Sequence, residues 1–388
     1  MFESDDSIFD KNEISGLSVV ANENKEKFSP WHKPRKQWVR DKQWWGPLSR
    51  LLKKSPYKGI TTLKYFGLPG ADLLDVEYIK SCLSATDIQP SKSLLIHGFI
   101  NNQKDKEYAD SRMSILLDDS GIHADSQIDR FNFGSLSINK SASLDRVKAV
   151  GPYHFINLDF CNGIFKTETL ESIYLLMDFQ CKRQHGIPWL FCLTTRVDRD
   201  GVNEDLFGKL NHVLHSIDDD VVLGGIERCF NEVCKVIEEK ILLSNELPAD
   251  HIFAEIIQVC VVLWVVAYSL SHENKVELVS SAKYSVNQAS PFPDMFSFVF
   301  RMKKTDHAIP DGTGLVGPRM NQTNMPLDAK IKLQIDALTK LAGSLDIDRH
   351  LEHHLDEKKA CAEKTRDLLE KCGWDVSSYM KKMCPELM

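Results

Sequence analysis

The sequence lacks several features that would settle its class at once. Its 10 cysteines include no Cys-x-x-Cys pair. No disulfide framework is therefore indicated, and a reducing, intracellular compartment is expected. It lacks an unbroken apolar stretch of the roughly 20 residues that a spanning helix needs. The longest largely apolar run, Val259 to Leu270, extends back through Ile257 and Ile256 but is interrupted by Gln258. It reads as a core helix, so no membrane contact is expected. The opening residues Met1-Phe2-Glu3-Ser4-Asp5-Asp6 carry the wrong charge for a signal or transit peptide, which makes a cytoplasmic protein the expectation. There is no excess of positive charge: the formal net charge is −7. Any surface for a polyanion must then be local. Nor is there an internal repeat at solenoid period. What remains is ordinary: 388 residues, 43% hydrophobic and 27% charged. That composition excludes a wholly disordered chain and allows one large domain with appendages or two domains.

Along the chain, residues 1–28 are polar and acidic and read as a mobile N-terminus. The character then reverses. From Phe28 to Ala71 the only acid is Asp41, among ten lysines and arginines, with Trp31, Trp38, Trp44 and Trp45 interleaved. Segment 29–59 is thus basic and aromatic. Part of it, Gln37 to Leu52, has helical spacing that Gly46-Pro47 should break into two pieces. From residue 60 onward short apolar strands alternate with helical patterns. Strands are expected over 61–66, 93–99, 127–133, 153–160 and 188–197, with a helix after each of the first four. This rhythm indicates a parallel sheet built from right-handed crossovers. Residues 203–248 read as a helical insertion of two helices, 204–217 and 226–242, around an acidic turn at Asp218-Asp219-Asp220. A buried helix follows over 251–270, then two strands, 276–284 and 295–301, with only a loop between them. Such a pair must run antiparallel. Residues 305–326 read as a loop and 327–388 as a helical C-terminal region. The expected fold is α/β: a central, mostly parallel sheet with helices on both faces and a terminal antiparallel hairpin.

Five βα units, a last helix and a closing hairpin over residues 60–304 resemble the class I S-adenosylmethionine-dependent methyltransferases. The resemblance rests on this order of elements and on the turn Gly67-Leu68-Pro69-Gly70 after the first strand. It implies S-adenosylmethionine as cofactor, bound outside the carboxyl ends of the strands. Gly67, Leu68, Pro69, Gly70 and Asp72 would lie beside its methionyl part. Asn101 or Asn102 would face the ribose, and Asn132 or Ser135 the adenine. Asp159, at the end of the fourth strand, would be the catalytic residue that orients the acceptor or removes its proton. The sequence departs from the family where strand two ends His97-Gly98-Phe99-Ile100-Asn101-Asn102 without a carboxylate. An amide holds a ribose hydroxyl less firmly than a charged acceptor. Strand four continues Asp159-Phe160-Cys161-Asn162-Gly163, neither the Asp-Pro-Pro-Tyr of amino-methylating enzymes nor the Pro-Cys of enzymes that attack a pyrimidine ring.

The basic segment, residues 31–58, is the second candidate site. Lys33, Arg35, Lys36 and Arg40 could neutralise phosphates of DNA or RNA, with Trp38 and Trp44 stacking on bases. The rival reading is that the tryptophans pin the segment to the core while the cations reach water. Gly312-Thr313-Gly314-Leu315-Val316-Gly317 spells GxGxxG but joins no strand to a helix, so it reads as a flexible loop. His350 and His354 share a helix face without further ligands nearby, and no metal site is expected. The apolar stripe Ile331, Ile335, Leu338 and Leu341 either covers the domain or binds a protein partner. Three functions follow. The first is S-adenosylmethionine-dependent methyl transfer, with nucleic acid as acceptor. The second is a catalytically silent binding subunit of the same fold in a nucleic-acid-processing or bacterial defence complex. The third is a metal-dependent nuclease or hydrolase using Asp159.

Overall fold

The computed structural model describes residues 25, 27–86, 88, 91–184, 186–197, 204–215, 219–238, 249–287, 292–304 and 325–387. The chain opens with helix α1 (Pro34–Trp38), a π-helical stretch (Val39–Trp45) and α2 (Gly46–Leu52). Then come β1 (Thr62–Gly67), α3 (Leu74–Ser84), β2 (Ser93–Phe99), α4 (Gln103–Leu117), β3 (Gln127–Asp129) and α5 (Ala142–Val150). Next are β4 (Phe155–Asp159), α6 (Thr167–Arg183) and β5 (Trp189–Arg196). Helices α7 (Glu204–His215), α8 (Asp220–Cys229), α9 (Asn231–Glu238) and α10 (Asp250–Ser271) lead to β6 (Asn274–Tyr284) and β7 (Met295–Lys304). The C-terminal part holds α11 (Leu327–Ala342), β8 (Leu345–Asp346), α12 (Ile347–His353), α13 (Leu355–Lys371) and α14 (Tyr379–Met383).

The strands form one sheet in the order β3-β2-β1-β4-β5-β7-β6-β8. β1 to β5 pair in parallel, and β7 runs antiparallel to both β5 and β6. This is the α/β architecture expected from the alternating pattern, with the antiparallel hairpin after the parallel strands; the short β8, unexpected in the C-terminal region, pairs in parallel with β6 and takes the outer edge. The central strands are nearly continuous apolar runs because both faces are covered. Phe66, Ile156 and Leu158 face one hydrophobic cluster with α6 and α10. Leu63, Tyr65 and Phe155 face the other, which holds α3, α4, α13 and the N-terminal segment. Helix α10 is long and apolar enough to cross a membrane, but its apolar side chains are buried in the first cluster, where it packs on β6 and α11.

Several boundaries differ from expectation. Gly46-Pro47 does not break the N-terminal helix. Gly46 N–H bonds back to Asp41 O, five residues earlier. Pro47 has no N–H to extend that ladder, and the chain returns to α geometry. The expected strand 127–133 stops at Asp129, because Asn132 caps a 3₁₀ turn at Phe133–Ser137. The expected helix 226–242 is replaced by two. α8 starts earlier, where Asp219 accepts from Val221 and Val222 N–H, and ends at Phe230 (φ −145°, ψ 62°), before α9. The apolar stripe of α11 lies inward, with Leu338 and Leu341 buried. Most of the expected mobile N-terminus, most of the loop 305–326 with its Gly312–Gly317 motif, and residues 239–248 of the insertion lie outside the described residues.

Candidate functional site at the carboxyl ends of β1 and β4

The strand order reverses between β1 and β4, so the crevice for a ligand in such a sheet lies outside their carboxyl ends. β1 ends at Gly67, and the turn Leu68-Pro69-Gly70 folds down onto the sheet. Leu68 N–H bonds to Asn157 O at 3.4 Å. A Cβ on Gly98 would come within 2.8 Å of Pro69 Cδ, so Pro69 packs on the end of β2. A Cβ on Gly67 would lie 2.1 Å from Tyr65 Oη. The small residue here makes room for the chain's own tyrosine. The turn closes at Leu73, which is buried and left-handed (φ 51°, ψ 34°) and bonds to Gly70 O. A branched side chain in that conformation is strained by about 1–2 kcal/mol. It sets the entry angle of α3, whose first turns carry Asp75 and Glu77.

The N-terminal segment lies across this rim. Lys36 Nζ reaches both oxygens of Asp159, at 2.7 Å to Oδ1 and 2.6 Å to Oδ2. One helical turn on, Arg40 Nε holds Asp75 at 2.9 Å. Lys25 holds Asp72 at 2.5 Å. Arg35 binds both oxygens of Asp348 and the carbonyl of Ser285, beyond the end of β6. Trp44 lies with its ring 5.0 Å from Lys36 Nζ. Arg35, Lys36 and Arg40 thus each meet a different acid, Asp348, Asp159 and Asp75. Burial alone would lower the Lys36 pKa, but Asp159, with Tyr284 and Asp75 behind it, outweighs burial and holds the pKa above its ordinary value. The ammonium is therefore fixed in the mouth as a charge. Beneath it, Tyr65 Oη, both amide atoms of Asn157, Trp44 Nε1 and Arg40 Nη1 are buried with no hydrogen-bond partner among the described residues.

This placement corrects the expectation for five residues of the nucleic-acid arm. Arg35, Lys36, Trp38, Arg40 and Trp44 are buried. The tryptophans belong to a hydrophobic cluster and the cations are paired with carboxylates, so neither set faces a polyanion. Lys33 is half-buried, and Trp31 is exposed. The other expected ligand residues take local duties. Asn132 Oδ1 accepts from Gly134 N–H at 2.9 Å. Asn101 is exposed, and its neighbour Asn102 caps α4 by accepting from Lys104 N–H at 2.8 Å. Cys161 sits beside this network, but desolvation and Asp159 push its thiol up, away from a nucleophilic thiolate. His350 stacks on His354 and pairs with Glu357 at 2.8 Å. Among the described residues no group of three or more metal-ligating side chains converges.

Two features were not foreseen. Asp75 proves to be the partner of Arg40. A second buried network joins Tyr153 Oη to His97 Nδ1 at 2.5 Å and His97 Nε2 to Asp129 at 3.1 Å. The trace of this network was a lone histidine inside the apolar run of β2. The trace of the first was the spacing of Lys36 and Arg40, which puts both on one helix face.

A family model described as PP_RS20740-like matches residues 25–383, and the chain belongs to that family. The match begins at Lys25, the residue that pairs with Asp72, and so covers the whole rim. No curated protein matches the chain.

Proposed function

Starting from that membership, whose description names no activity, we propose that this chain is a catalytically silent subunit built on the methyltransferase architecture, and that it works by binding. The sheet order β3-β2-β1-β4-β5-β7-β6 with β7 reversed supports the resemblance of the fold. One observation carries the loss of catalysis: Lys36 Nζ occupies both oxygens of Asp159 at the point where donor and acceptor would meet. Both oxygens of that carboxylate are engaged by a buried ammonium and not turned toward an acceptor, and an S-adenosyl sulfonium would have to displace a charge of its own sign. Tyr65 lies against Gly67 and Pro69 against Gly98, so neither glycine leaves an open cradle for a nucleoside. The absence of a carboxylate at the end of β2 removes the usual anchor for its ribose.

The nuclease reading is not favoured. Asp159 and Asp75 are each neutralised by a cation of the same segment, where a metal would need them free. Isothermal titration of the full chain with S-adenosylmethionine tests the proposal. No saturable heat is expected up to millimolar ligand. Stoichiometric binding in the micromolar range would overturn the silent reading and restore methyl transfer.

A further inference from the structure

The edge of the sheet opposite the rim, where the parallel strands begin, carries a different chemistry. Three chain segments that reach it contain no acid at all: residues 42–71, 146–158 and 179–197. The first brings Lys53, Lys54 and Lys58, all exposed, on either side of Tyr57. The others bring Lys148, Lys182 and Arg183, also exposed, around a surface cavity of about 520 Å³ that includes Gly151 and Pro152. Contacts join these groups into one face. Tyr57 Oη donates to Pro188 O at 2.6 Å, just before β5. Lys92 Nζ, before β2, donates to Tyr57 O at 2.8 Å. Lys64 Nζ reaches Val150 O at 2.8 Å, between α5 and the cavity. His154 packs against the Tyr57 ring. Of the six exposed cations only Lys182 has a carboxylate partner, Asp178 at 2.7 Å, among the described residues.

We propose that this amino-terminal edge is a docking face for the phosphate backbone of double-stranded nucleic acid. The inference rests on the reading of the chain as a binding subunit and names what it binds. The cations are spread over the ends of adjacent strands β1, β4 and β5, which stand about 5 Å apart. A single phosphate would touch one end of that row, whereas an extended polyanion follows it. In a chain of net charge −7 this concentration is local and does not reflect overall basicity. Among the described residues no large apolar side chain is exposed in the three acid-free segments. A membrane surface would be given an apolar wedge and single strands an aromatic platform. Neither is present here, so the recognition is of phosphate and indifferent to sequence.

The experiment follows fluorescence anisotropy of two unrelated 20-base-pair DNA duplexes with the full chain across a salt series. Equal affinity for both and a steep loss with salt are expected. The triple variants K53E/K54E/K58E and K148E/K182E/R183E should each weaken binding by about tenfold or more and flatten the salt slope by about three. The control K340E/K359E, on exposed positions of α11 and α13, should bind like the parent. A flat salt response, triple variants that bind like the parent, or an equal loss in the control would overturn the proposal. So would retention on phosphatidylserine vesicles without duplex binding. The two triples alter separate segments, so a folding defect in one leaves the other decisive. No methyl donor is used, so failure here is distinct from failure of the silent reading.

Discussion

Two buried histidines show how single side chains tie the fold to pH. His154, just before β4, accepts the Lys64 N–H on Nδ1 at 2.9 Å, which places its proton on Nε2. Burial first, then Lys64 and Lys92, lower its pKa to about 4. His32 accepts Ser29 N–H at 3.1 Å and is lowered to about 4 by burial and then by Arg40, with Asp72 opposing. In the unfolded chain each takes a proton near pH 6.5, whereas the folded chain resists until about pH 4. The unfolded state binds more protons in that window, so stability falls as pH drops through it and is intact above it. Each histidine accounts for on the order of 3 kcal/mol across the window. Urea unfolding of His154→Gln, which retains an acceptor for Lys64 N–H, should show an acid limb shallower than the parent by about that amount. Identical limbs would rule out His154 as a contributor.

At the scale of elements, the N-terminal segment behaves as an internal ligand of the rim. A buried ion pair is weak evidence for stability, but removing one partner strands the other. Lys36→Met or Asp159→Asn alone should lose about 3–5 kcal/mol, and the double variant should recover most of it. Strict additivity in urea unfolding would refute the coupling. The same pair shows what was legible beforehand. The strand–helix alternation, the turn at Gly67 and the strand-end Asp159 were readable because they depend on local period and local turn chemistry. The four-residue spacing of Lys36, Arg40 and Trp44 was present in the sequence but was not read as a face, because the expected helix began at Gln37. The partners of Lys36 and Arg40 were not readable, because Asp159 lies 123 residues away and Asp75 lies 35 away. Spacing shows which residues share a side of a helix, and only the closed fold shows what that side meets. The acid-poor composition of the segment suggested a polyanion for Arg35, Lys36 and Arg40, when these three had acids waiting elsewhere in the chain.

Over the whole molecule, the regions set apart by composition are not appendages. Trp38, Trp44 and Leu48 from the N-terminal segment share a cluster with Leu63 and Tyr65 of β1 and with Ile347, Leu369 and Tyr379 from the C-terminal helices. Tyr379 Oη donates to His32 O at 2.6 Å, which closes one end of the chain on the other. Chains of this length often unfold in steps. Here β1 and β4 send alternate side chains into both clusters, so neither cluster keeps its floor when the other is lost. A single cooperative transition is expected. Far-UV circular dichroism and tryptophan fluorescence should give coincident urea curves, because Trp44 reports on one cluster and Trp189 on the other. Trp44→Phe and Trp189→Phe resolve the two signals while keeping an aromatic ring in each core. If the Trp44 signal were lost at lower urea than the Trp189 signal, the N-terminal segment would be a separable cover, and the stoppered rim would be an equilibrium between shut and open states.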